Sequence, residues 1–352
     1  MHVQSSTLTQ PPFVVAMVIP TGVGASQGGY GGDAMPWLNA IGTVADVVVT
    51  HPNVANAAAF QKLPPHAFYT EGYWLDAWFT GQVAFTPNLR PRLGVLLDAG
   101  MEPGMKILQR NTNAAVQTVY GVQCVTVQET EAPLELSIEL QPSGASAGRW
   151  MNPEAALSVA RRMQAEQGIN ALAIVARMQE PEGSVYASGT GVDPIGGLEA
   201  IISHTLSHAL GIPCANAPVF DWEEAQPRRD ELVSPLTASE YISATFLPCV
   251  LTGLVQAPIP VALTHRRALR VEDLSCLVVP HNCLGGVPVL SCVERGIPII
   301  TVTSNTTVLP MDMEALLGQA EAERLKRLGL WMPVANYTEA LGTLQLLKHR
   351  MM

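Results

Sequence analysis

The chain has 352 residues, 48% of them hydrophobic and 14% charged, with a formal net charge of −10; that length holds one large or two ordinary domains with a sizeable core. The acidic balance, with no basic cluster larger than Arg266-Arg267 with Arg270 or Arg324 to Arg327, argues against a nucleic-acid binder. The longest apolar runs are broken by Pro, Gly or polar residues well short of a membrane span.

Residues 1–12 (MHVQSSTLTQPP) read as a polar arm, with neither the basic start nor the apolar core of a signal peptide. Phe13 to Pro20 predicts a buried strand and runs into the glycine-rich TGVGASQGGYGGDAMP. A helix follows from about Met35 to Thr43, then a strand from Asp46 to Thr50 that ends at His51-Pro52-Asn53, with Asn53 placed to cap the next helix. Residues 64–92 are aromatic and irregular, and Tyr69, Tyr73, Trp74, Trp78 and Phe79 predict an exposed lid or oligomer contact. Leu93 to Asp98 reads as a strand and Pro103 to Tyr120 as a helix, while Cys124 to Glu129 and Leu134 to Leu140 alternate as strands. SGASAGRWMNP (143–153) reads as a linker, after which Asn152 caps a helix that starts at Pro153 and stops before Gly168.

Ala171 to Ala176 is the next buried strand, followed by a second glycine-rich loop (179–197), the helix LEAIISHTLSHALG (198–211) and the strand IPCANAPV (212–219). After an acidic loop (221–235), Thr237 to Leu254 reads as helix up to the region of Pro248. Leu274 to Thr307 is the stretch that concentrates chemistry: a buried strand, the loop Pro280-His281-Asn282-Cys283, Gly285-Gly286, a helix, and a second strand. This is a parallel βαβ pattern, with polar residues at the carboxyl end of its first strand, where open α/β sheets bind ligands. Asp312 to Arg350 reads as an amphipathic helical tail packed on the outside.

The expected fold is therefore α/β, a largely parallel sheet flanked by helices. Its organisation is one or two closely packed lobes, 1–148 with the first glycine-rich loop and the aromatic segment, and 149–352 with the Gly-Gly/helix units. Three segments share the order Gly-Gly, helix, strand, Asn: Gly31-Gly32 to Asn53, Gly196-Gly197 to Asn216, and Gly285-Gly286 to Asn305. Read as repeated βα units, they would turn three helix N-termini toward one cleft and form a site for a small anion such as a carboxylate or phosphate. Gly24 and Ser26, in the Gly22-x-Gly24-x-x-x-Gly28 loop, belong to that expected site, as do Asn282 and Ser304. A dinucleotide is a weaker reading, because the second strand ends at His51 without the acidic residue that takes a ribose hydroxyl.

Cys283, flanked by His281 and Asn282, is the candidate nucleophile or acid/base, with His281 or His51 as partner and Cys214 in the corresponding place of the second unit. The bland alternative is a set of buried cysteines. Glu71, Asp76 and Asp98 are lesser acid/base candidates. His204 and His208 stand at i, i+4 on one helix face, a metal-ligand spacing that lacks the Glu of H-E-x-x-H; Asp193, Glu199, Cys214 and Asp221 lie near in sequence. Six scattered cysteines, none in a C-x-x-C pair, fit a reduced cytoplasmic setting. The low charge content suggests a homo-oligomer.

IPTGVGASQGGYGGDA (19–34), THPNVANAA (50–58) and GVDPIGGLEAIISHTLSHALGIPCANAPVF (191–220) resemble an uncharacterised conserved family of cyanobacteria and plastids. That resemblance implies a soluble cytosolic or stromal protein and brings no reaction with it. Shorter segments resemble cofactor-independent amino-acid racemases, in which a strand ends in Cys-Asn-Thr before a helix; here the order is Asn282-Cys283, and Cys214 precedes Ala215-Asn216. The leading expectation is an enzyme for a small anionic metabolite, of isomerase, lyase or hydrolase type, without a cofactor. The alternatives are a metabolite sensor reporting through the aromatic segment, and a metal-dependent hydrolase using His204 and His208.

Overall fold

A computed structural model describes residues 11–30, 34–55, 59–179, 184–221 and 232–351. The chain opens with β1 (Val14–Met17), α1 (Met35–Gly42), β2 (Val47–Thr50), the short α2 (Pro52–Ala55) and β3 (Ala67–Tyr69). Next come α3 (Gly72–Phe79), β4 (Ala84–Thr86), β5 (Leu93–Leu97), α4 (Pro103–Tyr120), β6 (Cys124–Glu129), β7 (Leu136–Leu140) and β8 (Ser146–Trp150). The middle of the chain continues through α5 (Glu154–Gln167), β9 (Ala171–Arg177), α6 (Gly196–Leu210), β10 (Cys214–Val219), α7 (Leu247–Leu254) and β11 (Ile259–Val261). It closes with β12 (Leu274–Pro280), α8 (Val287–Arg295), β13 (Ile299–Val302), α9 (Met313–Leu317), α10 (Gln319–Arg327), β14 (Trp331–Val334) and α11 (Tyr337–Met351).

Two sheets, each parallel throughout, carry this α/β fold. The first has the order β14-β13-β12-β1-β2-β3. The chain runs outward from β1 to β3, leaves, returns beside β1 as β12, and runs outward the other way. Its direction of winding reverses between β1 and β12, the kind of switch point at which doubly wound sheets form a crevice. The second sheet, β10-β9-β5-β6, reverses likewise between β5 and β9. It is built from the segment between β3 and β12, and antiparallel pairing of β4 with β11 joins the start and end of that segment. Each sheet takes strands from both sides of residue 148.

The strands are continuous apolar runs rather than alternating ones, because helices cover both faces. One face of the first sheet packs Met17, Leu38, Ile41 and Leu344 together, with α1 and α11; the other packs Trp78, Phe79, Leu277, Val289 and Leu325, with α3, α8 and α10. In the second sheet, Val95 and Val175 pack with Met105 of α4 and Leu251 of α7, while Leu96 and Ile174 pack with Met163 of α5 and Leu206 of α6. Gly-Ile-Pro recurs after α6 and α8 for a local reason. Gly211 (φ 68°) and Gly296 (φ 65°) take the left-handed conformation that ends each helix, and the next residues enter the following strand.

Several expectations change. The crowded aromatic residues are not an exposed lid: Tyr69, Trp78 and Phe79 are fully buried, and Trp74 is partly buried with its indole N–H on Ile212 O. The apolar area of these rings explains the change, since Trp78 stacks on Phe85 at 5.7 Å inside the core. The sensor reading thereby loses the aromatic surface it relied on. The expected linker contains β8, paired with β7 and covered by α6; a Cβ on Gly148 would fall 2.9 Å from the Leu198 side chain. Pro248 starts a helix instead of ending one, as suits a residue without an N–H in the first turn. The tail supplies β14 as an edge strand beside β13. Asn152 and Asn53 do not cap helices; Asn152 reaches Pro133 O at 3.4 Å, and Asn53 turns back to Ile19 O and Pro20 O.

At the second switch point Asp98, 3% exposed, accepts from the backbone N–H groups of Gly100 (2.8 Å), Leu134 (3.2 Å) and Arg177 (3.2 Å). Asp98→Ala strands these donors in the interior. Urea unfolding should show a loss of about 3 kcal/mol or more; a loss within experimental error would show that the three bonds do not hold the second sheet together.

Candidate functional site

The first switch point is the obvious place for a ligand, and the chain's own loop lies across it. Residues Val23 to Gln27 cross the carboxyl ends of β12 and β13. Ala25 bridges Thr307, Ser26 N–H donates to Thr306 O, and Val308 N–H donates to Val23 O. Asn305, fully buried, is the pin: its Oδ1 accepts from Gln27 N–H (2.9 Å) and the Ser26 hydroxyl (3.2 Å), and its Nδ2 donates to Gln27 O (2.9 Å) and the Tyr337 hydroxyl (2.8 Å). Asn282 accepts from Thr307 N–H and the Thr307 hydroxyl. Gly24 is required by proximity, since a Cβ there would sit 2.7 Å from Val308 Cγ2. Ser304 is exposed and joins the loop through its carbonyl, 3.4 Å from the Ser26 hydroxyl.

Other expected residues at this edge are committed to structure. His51 is buried, its Nε2 accepts from Ile19 N–H at 3.1 Å, and burial lowers its pKa to about 4, so the ring is neutral. His281 is partly buried with Nδ1 3.4 Å from the Thr301 hydroxyl. Cys283 is buried, its thiol pushed up to about 12 by desolvation; a thiolate is therefore scarce at neutral pH. Gly285 and Gly286 lead into α8, while Gly31 and Gly32 lie outside the described residues.

The other expected set gathers around α6, on the second sheet. At its N-terminus two amides that could meet an anion are used internally. The Ser146 hydroxyl accepts from Gly197 N–H, and Asp193 accepts from Ile195 N–H. Gly196 faces the first glycine-rich loop, where a Cβ would lie 2.7 Å from Thr21 Cγ2. His204 and His208 both turn to α3. A Cβ on Gly72 would come within 2.5 Å of His204 Nε2, and His208 Nδ1 is 2.8 Å from the Tyr73 hydroxyl. Among the described residues no group of three His, Cys, Asp or Glu side chains comes together closely enough to hold a metal ion. Cys214, wholly buried at the start of β10, belongs to a different sheet from Cys283, and burial raises its thiol too.

Between α3, α6, α7 and β10 lies a seam whose chemistry is different. Tyr69, in the edge strand β3, presses on Gly253 of α7, where a Cβ would be 2.6 Å from the ring. Its hydroxyl, in a residue 1% exposed, has no hydrogen-bond partner. Glu71, two residues on, is 8% exposed and its carboxyl has no hydrogen bond or ion pair among the described residues; burial lifts its pKa to about 8. On α6, Glu199 accepts from Nδ2 of Asn216, a residue of β10, at 3.1 Å. Its carboxyl is held well above the usual range first by burial, then by Asp193, Glu71 and Glu240, although the residue keeps some exposure. Asn216 Oδ1 is buried without a partner.

The structure thus brings Asn216 together with Glu199, whose charge is coupled electrostatically to Glu71 and Tyr69. It leaves Asn53, Asn282 and Asn305 as loop pins. Sequence reasoning gave Glu71 and Glu199 only minor parts and missed Tyr69 as a polar group. The available signal was a carboxylate directly between a short strand and a helix.

Asn305→Ala removes four hydrogen bonds from a buried loop. Chemical denaturation should register at least about 3 kcal/mol of destabilisation, with the amide of Gln27 losing its protection from hydrogen exchange. Unchanged protection at Gln27 would show that the loop is held by other contacts.

Comparison with known proteins agrees with the cyanobacterial resemblance. The chain is 36% identical over 307 residues, 84% of each chain, to a Synechococcus sp. protein named an uncharacterized lipoprotein. No solved structure matches the chain. A family model described as a protein of unknown function, DUF3326, matches residues 14–352, and the chain belongs to that family.

Proposed function

We propose that the protein is an enzyme that moves a proton on a small metabolite held in the seam between the two sheets, with Glu71 as the acid/base group. One observation carries this reading. Glu71 is a buried carboxyl without a hydrogen-bonding partner among the described residues, and its pKa of about 8 lies close to neutrality. A general acid or base works best when its pKa lies near the working pH, and such displacement by burial is characteristic of functional carboxyls. The unpartnered Tyr69 hydroxyl and Asn216 carbonyl support it, because native interiors rarely leave such atoms unsatisfied. Isomerase, lyase and hydrolase chemistry are each compatible with a single proton-transfer group.

The reading is tested by incubating a metabolite extract with the protein in D2O and following masses. Wild-type protein should convert or deuterate at least one metabolite, and Glu71→Gln should slow that reaction by about a hundredfold or more while remaining folded. Equal rates in the two proteins would overturn the assignment of Glu71.

The same carboxyl links stability to pH. Its folded pKa of about 8 lies above the ordinary value of 4.5, so the folded state holds the proton more tightly. This contribution is complete below pH 4.5 and disappears as pH rises through about 8. The urea midpoint of the wild type should therefore fall across this window, and Glu71→Gln should flatten the fall.

Tyr69→Phe separates a site role from a structural one. Removing a buried hydroxyl that has no partner should leave stability unchanged or raise it by about 1 kcal/mol, while turnover drops. A marked loss of thermal stability would show that the hydroxyl is a structural group.

A further inference from the structure

We infer that a cleft at the amino end of the second sheet binds a small organic dianion, a phosphate monoester or a dicarboxylate, on the guanidinium groups of Arg90 and Arg92. The inference goes beyond the proton-transfer reading and does not depend on it. The two arginines precede β5, whereas Glu199 lies in the first turn of α6, after the carboxyl end of β9.

The cleft has a volume of about 430 Å³, and Arg90, Arg92, Val122, Gln123 and Val255 are among the residues that line it. Metabolite pockets fall in the range of about 300–1,000 Å³, so the space suits an organic molecule rather than a bare inorganic ion. The loop that carries the arginines is set without a ligand. Pro91 holds the preceding Arg90 extended. One side chain, Asn170, then fastens both arginine backbones: its Oδ1 accepts from Arg92 N–H at 2.8 Å, and its Nδ2 donates to Arg90 O at 3.0 Å. Arg92 is further fixed at the end of α5, where its Nε donates to Gly168 O and its Nη2 to Gln167 O. The Arg90 guanidinium makes no hydrogen bond or ion pair among the described residues.

Sign and donors point to an anion. None of the described residues lining the cleft is acidic. Glu166, in the last turn of α5, accepts from Gln167 Nε2 and pairs with neither arginine. Gly121 and Val255 close α4 and α7 at this place, and each helix end presents about half a negative charge. Two full guanidinium charges outweigh them. The main chain adds donors: Val122 is buried, and neither its N–H nor that of Gln123 has an acceptor among the described residues. Buried amides are almost always paired, and an anionic oxygen is a partner that the protein does not supply. A guanidinium takes a carboxylate or phosphate through two parallel hydrogen bonds, so two guanidiniums beside one cleft suit a ligand with two negative charges. Closing helix C-termini accounts for Arg92 but leaves Arg90 unexplained.

The test follows the amide resonances of Val122 and Gln123 in 15N-labelled full-length protein. The protein is titrated separately with phenyl phosphate, with succinate, and with sodium chloride at equal ionic strength. At least one dianion should shift both amides saturably, and chloride should not; the tighter of the two dianions identifies the ligand chemistry. Arg90→Ala and Gln123→Glu, both at exposed positions, should each weaken that binding by about tenfold or more. The second substitution plants a carboxylate beside the guanidiniums. Amides that neither dianion moves, or that chloride moves equally, overturn the inference. Binding that survives both substitutions overturns it as well.

Discussion

A parallel sheet covered on both faces obliges the loops at its carboxyl ends to satisfy their polar groups within the protein. Here a few buried side chains meet that demand. Asn305 bonds the glycine-rich loop at Ser26 and Gln27 and ties it to Tyr337 of the last helix. His51 accepts from Ile19 N–H and Asn53 donates to Ile19 O and Pro20 O, so the end of β1 is clamped from β2. Asp98 performs the same service for the second sheet. The wider arrangement depends on these bonds, because they fix where both switch points end and leave the first one crossed by protein rather than open to solvent.

With the first switch point crossed by the chain's own loop, the site proposed for the protein lies beside it. The glycines that suggested an anion cradle serve close packing, Gly24 against Val308 and Gly196 against Thr21. At the seam the edge strand of each sheet contributes one buried polar atom without a partner, the Tyr69 hydroxyl from β3 and Asn216 Oδ1 from β10; others are scattered elsewhere, on α4, α5 and β8 among other places. An unpartnered buried polar group costs about 1–3 kcal/mol. Two such groups near the buried Glu71 carboxyl form an expensive arrangement for a structural core, and an apolar substitution would remove the cost. Their presence at one place, on elements from both sheets, is what distinguishes the seam from ordinary packing.

The parallel strands were legible because burial on both faces leaves unbroken apolar runs such as LGVLL and ALAIVAR, and helix ends were legible because Gly211 and Gly296 carry a local conformational signal. What depended on distant partners was not. Ser146 to Trp150 has a linker's composition and becomes a strand only under α6; Trp331 to Val334 joins a sheet only because β13 has an open edge. The crowded aromatic residues gave the wrong sense of exposure, since local sequence does not reveal which core will receive them. The repeat of Gly-Gly, helix, strand and Asn is instructive for the same reason. Asn53 and Asn305 lie beyond their strands and hold loops, whereas Asn216 lies within β10 and faces Glu199. Similar spacing placed three identical side chains in two different kinds of environment.

Glu71 shows how local and global demands are set against each other. It occupies the N-cap position of α3, with extended backbone (φ −69°, ψ 158°), where Ser, Asp or Asn would normally bond a free helix amide; its side chain makes no such bond. A good cap is worth about 1 kcal/mol, so α3 forgoes that gain at a position where a one-carbon-shorter carboxylate would supply it. Burying the longer carboxyl without a partner adds a second cost, tolerable because the raised pKa keeps it protonated through neutral pH. Neither helix stability nor core packing accounts for a glutamate at this position. The acid/base role proposed for it does, because that role needs a carboxyl whose proton is held near neutral pH.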